Sequence, residues 1–271
     1  MATTARPSEI RRAAPLGTHW RTRVYVLEAW FEFLKLLRLP GYALPTLLFP
    51  ALFYSLFGLG LGRFSGGRFD APTYLLASYG AFGVIGASLF GLGVSVAVER
   101  GQGWMALKRA SPMPPGAYLA AKLAMSALFG VLIVLLLSTL AVTFGGVRLP
   151  VSGWLHLGVV LVLGALPFSA FGLAVGSLAG PNSATPLVNI LYLPLGFASG
   201  LWFPIQMLPG PLRAAAPWLP PYHLGELALG AVGLDRPGPA WAHVAALAGF
   251  TGLSLCAAVI GFGRDSDRTW G

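Results

Sequence analysis

Residues 123–147 read LAMSALFGVLIVLLLSTLAVTFGGV, a run of 25 positions without a single Asp, Glu, Lys or Arg. A helix that crosses the hydrocarbon core of a bilayer needs about 20 apolar residues, because it rises ~1.5 Å per residue across ~30 Å. Residues 131–137 form an unbroken apolar block, whereas a membrane β-strand alternates apolar and polar side chains over about ten positions. The stretch therefore predicts a membrane-spanning helix and argues against a β-barrel.

Working outward, further charge-free intervals cover 39–62, 71–98, 149–212 and 237–263. The 149–212 interval is too long for one crossing, and Gly180-Pro181-Asn182-Ser183 interrupts it with residues that end one helix and start the next. Splitting it predicts six helices, near 42–62, 74–98, 118–143, 154–179, 184–206 and 240–262. The expected fold is all-α: a polytopic membrane protein with a short tail at 1–19, an amphipathic helix at 20–38, one transmembrane domain at 39–263 and a tail at 264–271. Composition agrees, since only 10% of the 271 residues are charged, against about 25% in soluble domains. Mean hydropathy is +0.72. Residues 1–16 are basic and polar, with no apolar stretch and cleavage site of the kind a secretory signal carries.

The formal charge of +9 would suggest nucleic acid in a soluble protein, but its placement suggests a membrane. An even number of spans puts both termini on one side. Taking that side as cytoplasmic leaves only Arg63, Arg68, Arg148, Arg213 and Arg236 outside, with the other thirteen of eighteen basic residues inside. Both termini are thus expected in the cytoplasm, and no nucleic-acid partner is needed to explain the charge. The single cysteine, Cys256, excludes an intrachain disulfide and is expected as a small buried hydrophobe.

Residues 20–38 are mixed. Trp20, Val24, Leu27, Phe31 and Leu34 recur at spacings of three and four, and Arg21, Glu28, Glu32 and Lys35 share another face. This pattern predicts an amphipathic helix at the membrane surface, serving as an anchor or as a docking face for a cytoplasmic partner.

Several chemistries are missing. A phosphate-binding loop needs a lysine after a glycine, and Lys35, Lys108 and Lys122 follow Leu, Leu and Ala. The predicted spans lack the mid-membrane charge that ion-driven carriers use. His156 and His243 fall near predicted outer ends, and Asn189 is placed to bond across helices. Neither an H-E-x-x-H motif nor a metal-ligand cluster is present, so no metal or resident cofactor is expected. Glu226 and His223 are close in sequence, in a pairing read as scaffold rather than acid-base catalysis.

The loop after the second predicted span reads ERGQGWMALKRASPMP over 99–114. It resembles the coupling-helix loop of type-2 ABC transporter permeases: charged residues at the end of the span, a glycine, a short amphipathic helix, then basic residues and a proline turn. Glu99, Arg100, Gly103, Leu107, Lys108, Arg109 and Pro112 occupy the matching positions, although the run Pro112-Met113-Pro114-Pro115 is richer in proline than that pattern. The stretch PLGFASGLWFPIQMLPGPLRAAAPWLPPYH over 194–223 is similar to the family's region after the fifth span, where short re-entrant helices form on the outer side. The resemblance implies the transmembrane subunit of a bacterial ABC exporter in the cytoplasmic membrane, not itself an enzyme. It further implies a second permease copy and a separate ATPase subunit that binds ATP and Mg. On that reading Arg21, Glu28, Glu32 and Lys35 belong to an interface helix beside the ATPase. Phe49, Phe53, Asn189, Tyr192 and Phe197 would line a path suited to an amphipathic or lipid-like substrate. An ion-coupled secondary transporter, or a membrane-embedded enzyme or assembly factor, stands as the alternative.

Overall fold

The structure is a computed structural model that describes residues 18–60, 70–111, 113–114, 116–234 and 238–268. Among the described residues there are helices, turns and loops and no strand. Helix α1 spans Thr18–Leu37, α2 Pro40–Leu59, α3 Ala71–Gly101 and α4 Trp104–Ala110. They are followed by α5 (Ala117–Thr143), α6 (Val151–Leu178), α7 (Ala184–Ala198), α8 (Gly210–Ala215), α9 (Pro220–Ala231) and α10 (Ala240–Arg268). The last helix runs on through most of the segment read from sequence as a tail. Five of these, namely α2, α3, α5, α6 and the 240–263 part of α10, are long and apolar enough to cross a membrane.

The fifth expected span is the exception. Helix α7 has 15 residues, about 22 Å of rise, which falls short of the ~30 Å hydrocarbon core. It ends at Ala198, soon after Pro194, and the chain turns at Gly200, whose φ is +78°. The predicted 184–206 helix is therefore shorter by eight residues at its carboxyl end. Beyond it the backbone is irregular through a 3₁₀ turn at Ile205–Met207, α8 and a second 3₁₀ turn at Ala216–Trp218. Such backbone needs partners when it leaves water. Two come from α3: Tyr74 Oη donates to the Gly200 carbonyl at 3.2 Å and Tyr79 Oη to that of Trp202 at 3.1 Å.

Helix α3 is the axis of the fold. Asp70 caps it, accepting from the Thr73 N–H at 3.1 Å, and every residue of 71–88 except Pro72 is buried. Small residues make this close packing possible. A Cβ on Gly83 would lie 2.7 Å from Pro50 Cγ, and one on Gly176 of α6 would lie 2.7 Å from the Gly93 carbonyl oxygen. A π-helical turn at Leu89–Val94 carries α3 into its charged last segment. Helix α10 lies outermost against α6, where Phe168 and Phe171 meet Phe250 at ring distances of 5.8 and 5.2 Å. Cys256 is exposed on this outer helix, not buried: its environment is set by α10 packing along one face only.

Candidate functional site

At the end of the bundle where α3 stops, the chain makes a short helix between two left-handed glycines. Gly103 (φ +76°) sets the turn into α4 and Gly116 (φ +83°) the turn into α5. A side chain would be strained at either position. Helix α4 leaves Trp104 and Leu107 open, at 51% and 65% exposure.

Behind α4 lies a buried charge network. Glu99, at the end of α3, accepts from Lys122 Nζ of α5 at 2.9 Å and from Tyr118 Oη at 2.7 Å, and it also accepts from Lys35 of α1. Glu32 of α1 accepts from Lys35 at 3.0 Å and from Lys122. Lys122 makes a third bond, to Ser95 Oγ at 2.9 Å. No part of the Lys122 side chain is exposed. Burial alone would lower the Lys35 pKa, but the hydrogen bond it donates to Glu99 and the charge of Glu32 outweigh it and hold the ammonium above its ordinary value.

Helix α4 joins the network through Lys108, which donates to Glu28 of α1 at 2.6 Å and sits 4.3 Å above the Tyr118 ring. Arg100 points the other way: its Nη1 donates to the carbonyls of Gly176 and Ser177 on α6, both at 2.6 Å, and its guanidinium lies 5.6 Å from the Phe262 ring of α10. Glu99, Arg100 and Lys108 thus brace α1, α3, α5, α6 and α10 at one end of the bundle. The side chain of Arg109, and Pro112, lie outside the described residues.

Helix α1 is turned so that its two carboxylates face protein. Glu32 is buried, Glu28 is half-buried, and both look toward α4 and α5. Val26, Trp30 and Phe31 are exposed at 61%, 50% and 61%, as suits a surface wetted by lipid. Arg21 remains exposed.

A cleft of about 640 Å³ runs from this network between α2, α3 and α7. Its charged end carries Lys35 and Glu99, with Ser95 and Gln102 beside them, and its walls include Tyr42, Phe49, Phe90 and Tyr192. Asn189 lines it too, bonding to the Thr185 carbonyl of its own helix at 3.1 Å rather than across helices. Tyr192 stacks on Phe82 at 4.4 Å and donates to the Phe82 carbonyl at 3.0 Å. Phe53 and Phe197 lie away from the cleft, in an aromatic group around Trp202 with ring distances of 5.1 and 6.3 Å. Lys122, Tyr118 and Ser95 were not singled out in the sequence. Lys122 lies just before the charge-free run 123–147, where its charge alone looks like that of any basic residue at the inner end of a span.

A bundle of apolar helices with a lateral cleft, and charged groups gathered at one end beneath an exposed short helix, defines a multi-pass membrane permease. The chain belongs to the ABC-2 family of transporters: the family described as "ABC-2 family transporter protein" matches residues 70–260. It is also 30% identical over 225 residues to the protein described as "Putative transport permease YvfS" of Bacillus subtilis (strain 168), an overlap that covers 83% of this chain and 91% of that one. The protein is accordingly a transporter permease subunit.

Proposed function

We propose that this permease is the membrane half of an ATP-driven exporter in a bacterial cytoplasmic membrane, with both termini cytoplasmic and with α7 and the backbone that follows it to Trp202 together making the sixth crossing beside the five long helices. A separate ATPase subunit docks on α4 and beside Arg21 of α1, two permease copies enclose the path, and an amphipathic substrate passes along the cleft. The observation that carries this reading is the dual character of α4. Its outward side offers Trp104 and Leu107, two large exposed apolar side chains, while Lys108 ties it inward to Glu28 and so to the buried network. A push on such an element moves packed helices as rigid bodies.

Copurification with the cognate ATPase tests the docking surface. Leu107→Glu places a charge where the partner's groove needs an apolar contact, and about a tenfold loss of bound ATPase is expected. The exposed position predicts an unchanged thermal midpoint for the permease alone. Full ATPase binding by the variant would refute docking at α4.

A further inference from the structure

The charged end of the cleft is uneven in a way that selects a ligand. Of the four charges in the network, Lys35 has a side chain that is 49% exposed, against 9% for Glu99, 6% for Glu32 and 0% for Lys122. The set is neutral overall, but its negative charge lies inside and its accessible charge is an ammonium. That ammonium has three N–H donors. One goes to Glu99 and another is shared between the two oxygens of Glu32, at 3.0 and 3.2 Å. Among the described residues no acceptor takes the third, and Lys35 lines the cleft.

The carboxylates are already occupied. Glu99 accepts from Lys35, Lys122 and Tyr118, and Glu32 from Lys35 and Lys122. A cationic head arriving in the cleft would meet Lys35 first and find no free carboxylate behind it. An anionic head would gain a charge-assisted hydrogen bond. Beyond this end the walls are apolar, with Leu39, Tyr42, Phe49, Phe90 and Val94, and the volume of about 640 Å³ falls in the range of sites that enclose one small amphiphile.

We infer that the cleft takes an amphiphile with an anionic head, held at Lys35, and a hydrocarbon body laid along Phe49 and Phe90. This rests on the cleft being the transport path. Lys35 is then a specificity-determining residue: it chooses the head, and the apolar walls supply affinity for the body without regard to head charge.

Binding of three probes with one common tail to the purified full chain tests this: dodecyl phosphate, dodecylphosphocholine and dodecyltrimethylammonium. Dodecyl phosphate is expected to bind about tenfold more tightly than the quaternary ammonium, with the zwitterion between them. Lys35→Gln should abolish the spread and Lys35→Arg should keep it. Inorganic phosphate at the same concentration should not compete, because it lacks the body. Equal affinities for the three probes in the natural protein, or an undiminished spread in Lys35→Gln, would overturn the inference. Thr46→Trp, which fills the cleft, separates the two claims: it should weaken all three probes together, and unchanged binding of all three would show that they bind elsewhere, removing the cleft itself as the site.

Discussion

Lys122 Nζ stands 2.9 Å from Glu99 Oε1 with no part of the lysine side chain exposed. The pair joins α3 to α5, and through Glu32 it joins both to α1. Removing one member of a buried ion network strands the others, which costs more than the attraction itself. Lys122→Met should destabilise the protein by about 3–5 kcal/mol, seen as a lower thermal midpoint in detergent. Adding Glu32→Gln and Glu99→Gln removes the stranded charges and should recover part of the loss. A midpoint unchanged by Lys122→Met would show that the network does not brace the bundle.

Gly86 is where α3 approaches Tyr192 on the wall of the cleft. A Cβ there would lie 2.6 Å from Tyr192 Oη, which itself donates to the Phe82 carbonyl at 3.0 Å. Gly86→Ala should therefore push Tyr192 off Phe82 and into the cleft, at a cost of about 1–3 kcal/mol. Tyr192→Phe in that background should restore some stability, because the closest clashing atom is gone. Simple additivity of the two substitutions would argue against direct contact.

His223 of α9 and His243 of α10 face each other with Nδ1 atoms 2.9 Å apart, so one ring donates and the other accepts. Tyr222 packs against both rings, and Glu226 follows one turn along α9. Burial, and then the neighbouring His243, push the His223 pKa below its ordinary value. The folded state thus holds the proton less tightly than the unfolded chain. The stabilisation is present above the ordinary value of 6.5 and is lost as the pH falls through the depressed one. Between about pH 8 and about pH 5 the thermal midpoint of the natural protein should fall further than that of His243→Gln, whose amide cannot charge. Equal falls would remove the pair from the pH response.

Much of the architecture could be read from the chain because lipid demands long uncharged helices: the run at 123–147 became the greater part of α5. What could not be read depended on tertiary packing. Glu32 and Lys122 are separated by 90 positions, and no local pattern states that they meet. The 3.6-residue period of α1 showed two faces but not their surroundings, and only the packing separates Glu28 and Glu32, which turn toward protein, from Arg21 and Lys35, which stay exposed. The shortness of α7 follows from Pro194 and the turn at Gly200, which a charge-free interval does not register. Phe53 and Phe197 shared the apolar character of Phe49, and only the packing around Trp202 separates them from the cleft.

The most direct test of the account is ATP-driven efflux from vesicles holding the permease and its ATPase, measured for a charge exchange across the link between α4 and α1. Lys108 and Glu28 are each partly exposed, at 21% and 27%, and 2.6 Å apart, so single substitutions there should change stability by no more than about 1 kcal/mol. Glu28→Lys and Lys108→Glu are each predicted to lower transport about tenfold or more with the ATPase still bound, and the double exchange to restore it. Normal transport by both single variants, or efflux that proceeds without ATP, would contradict the account.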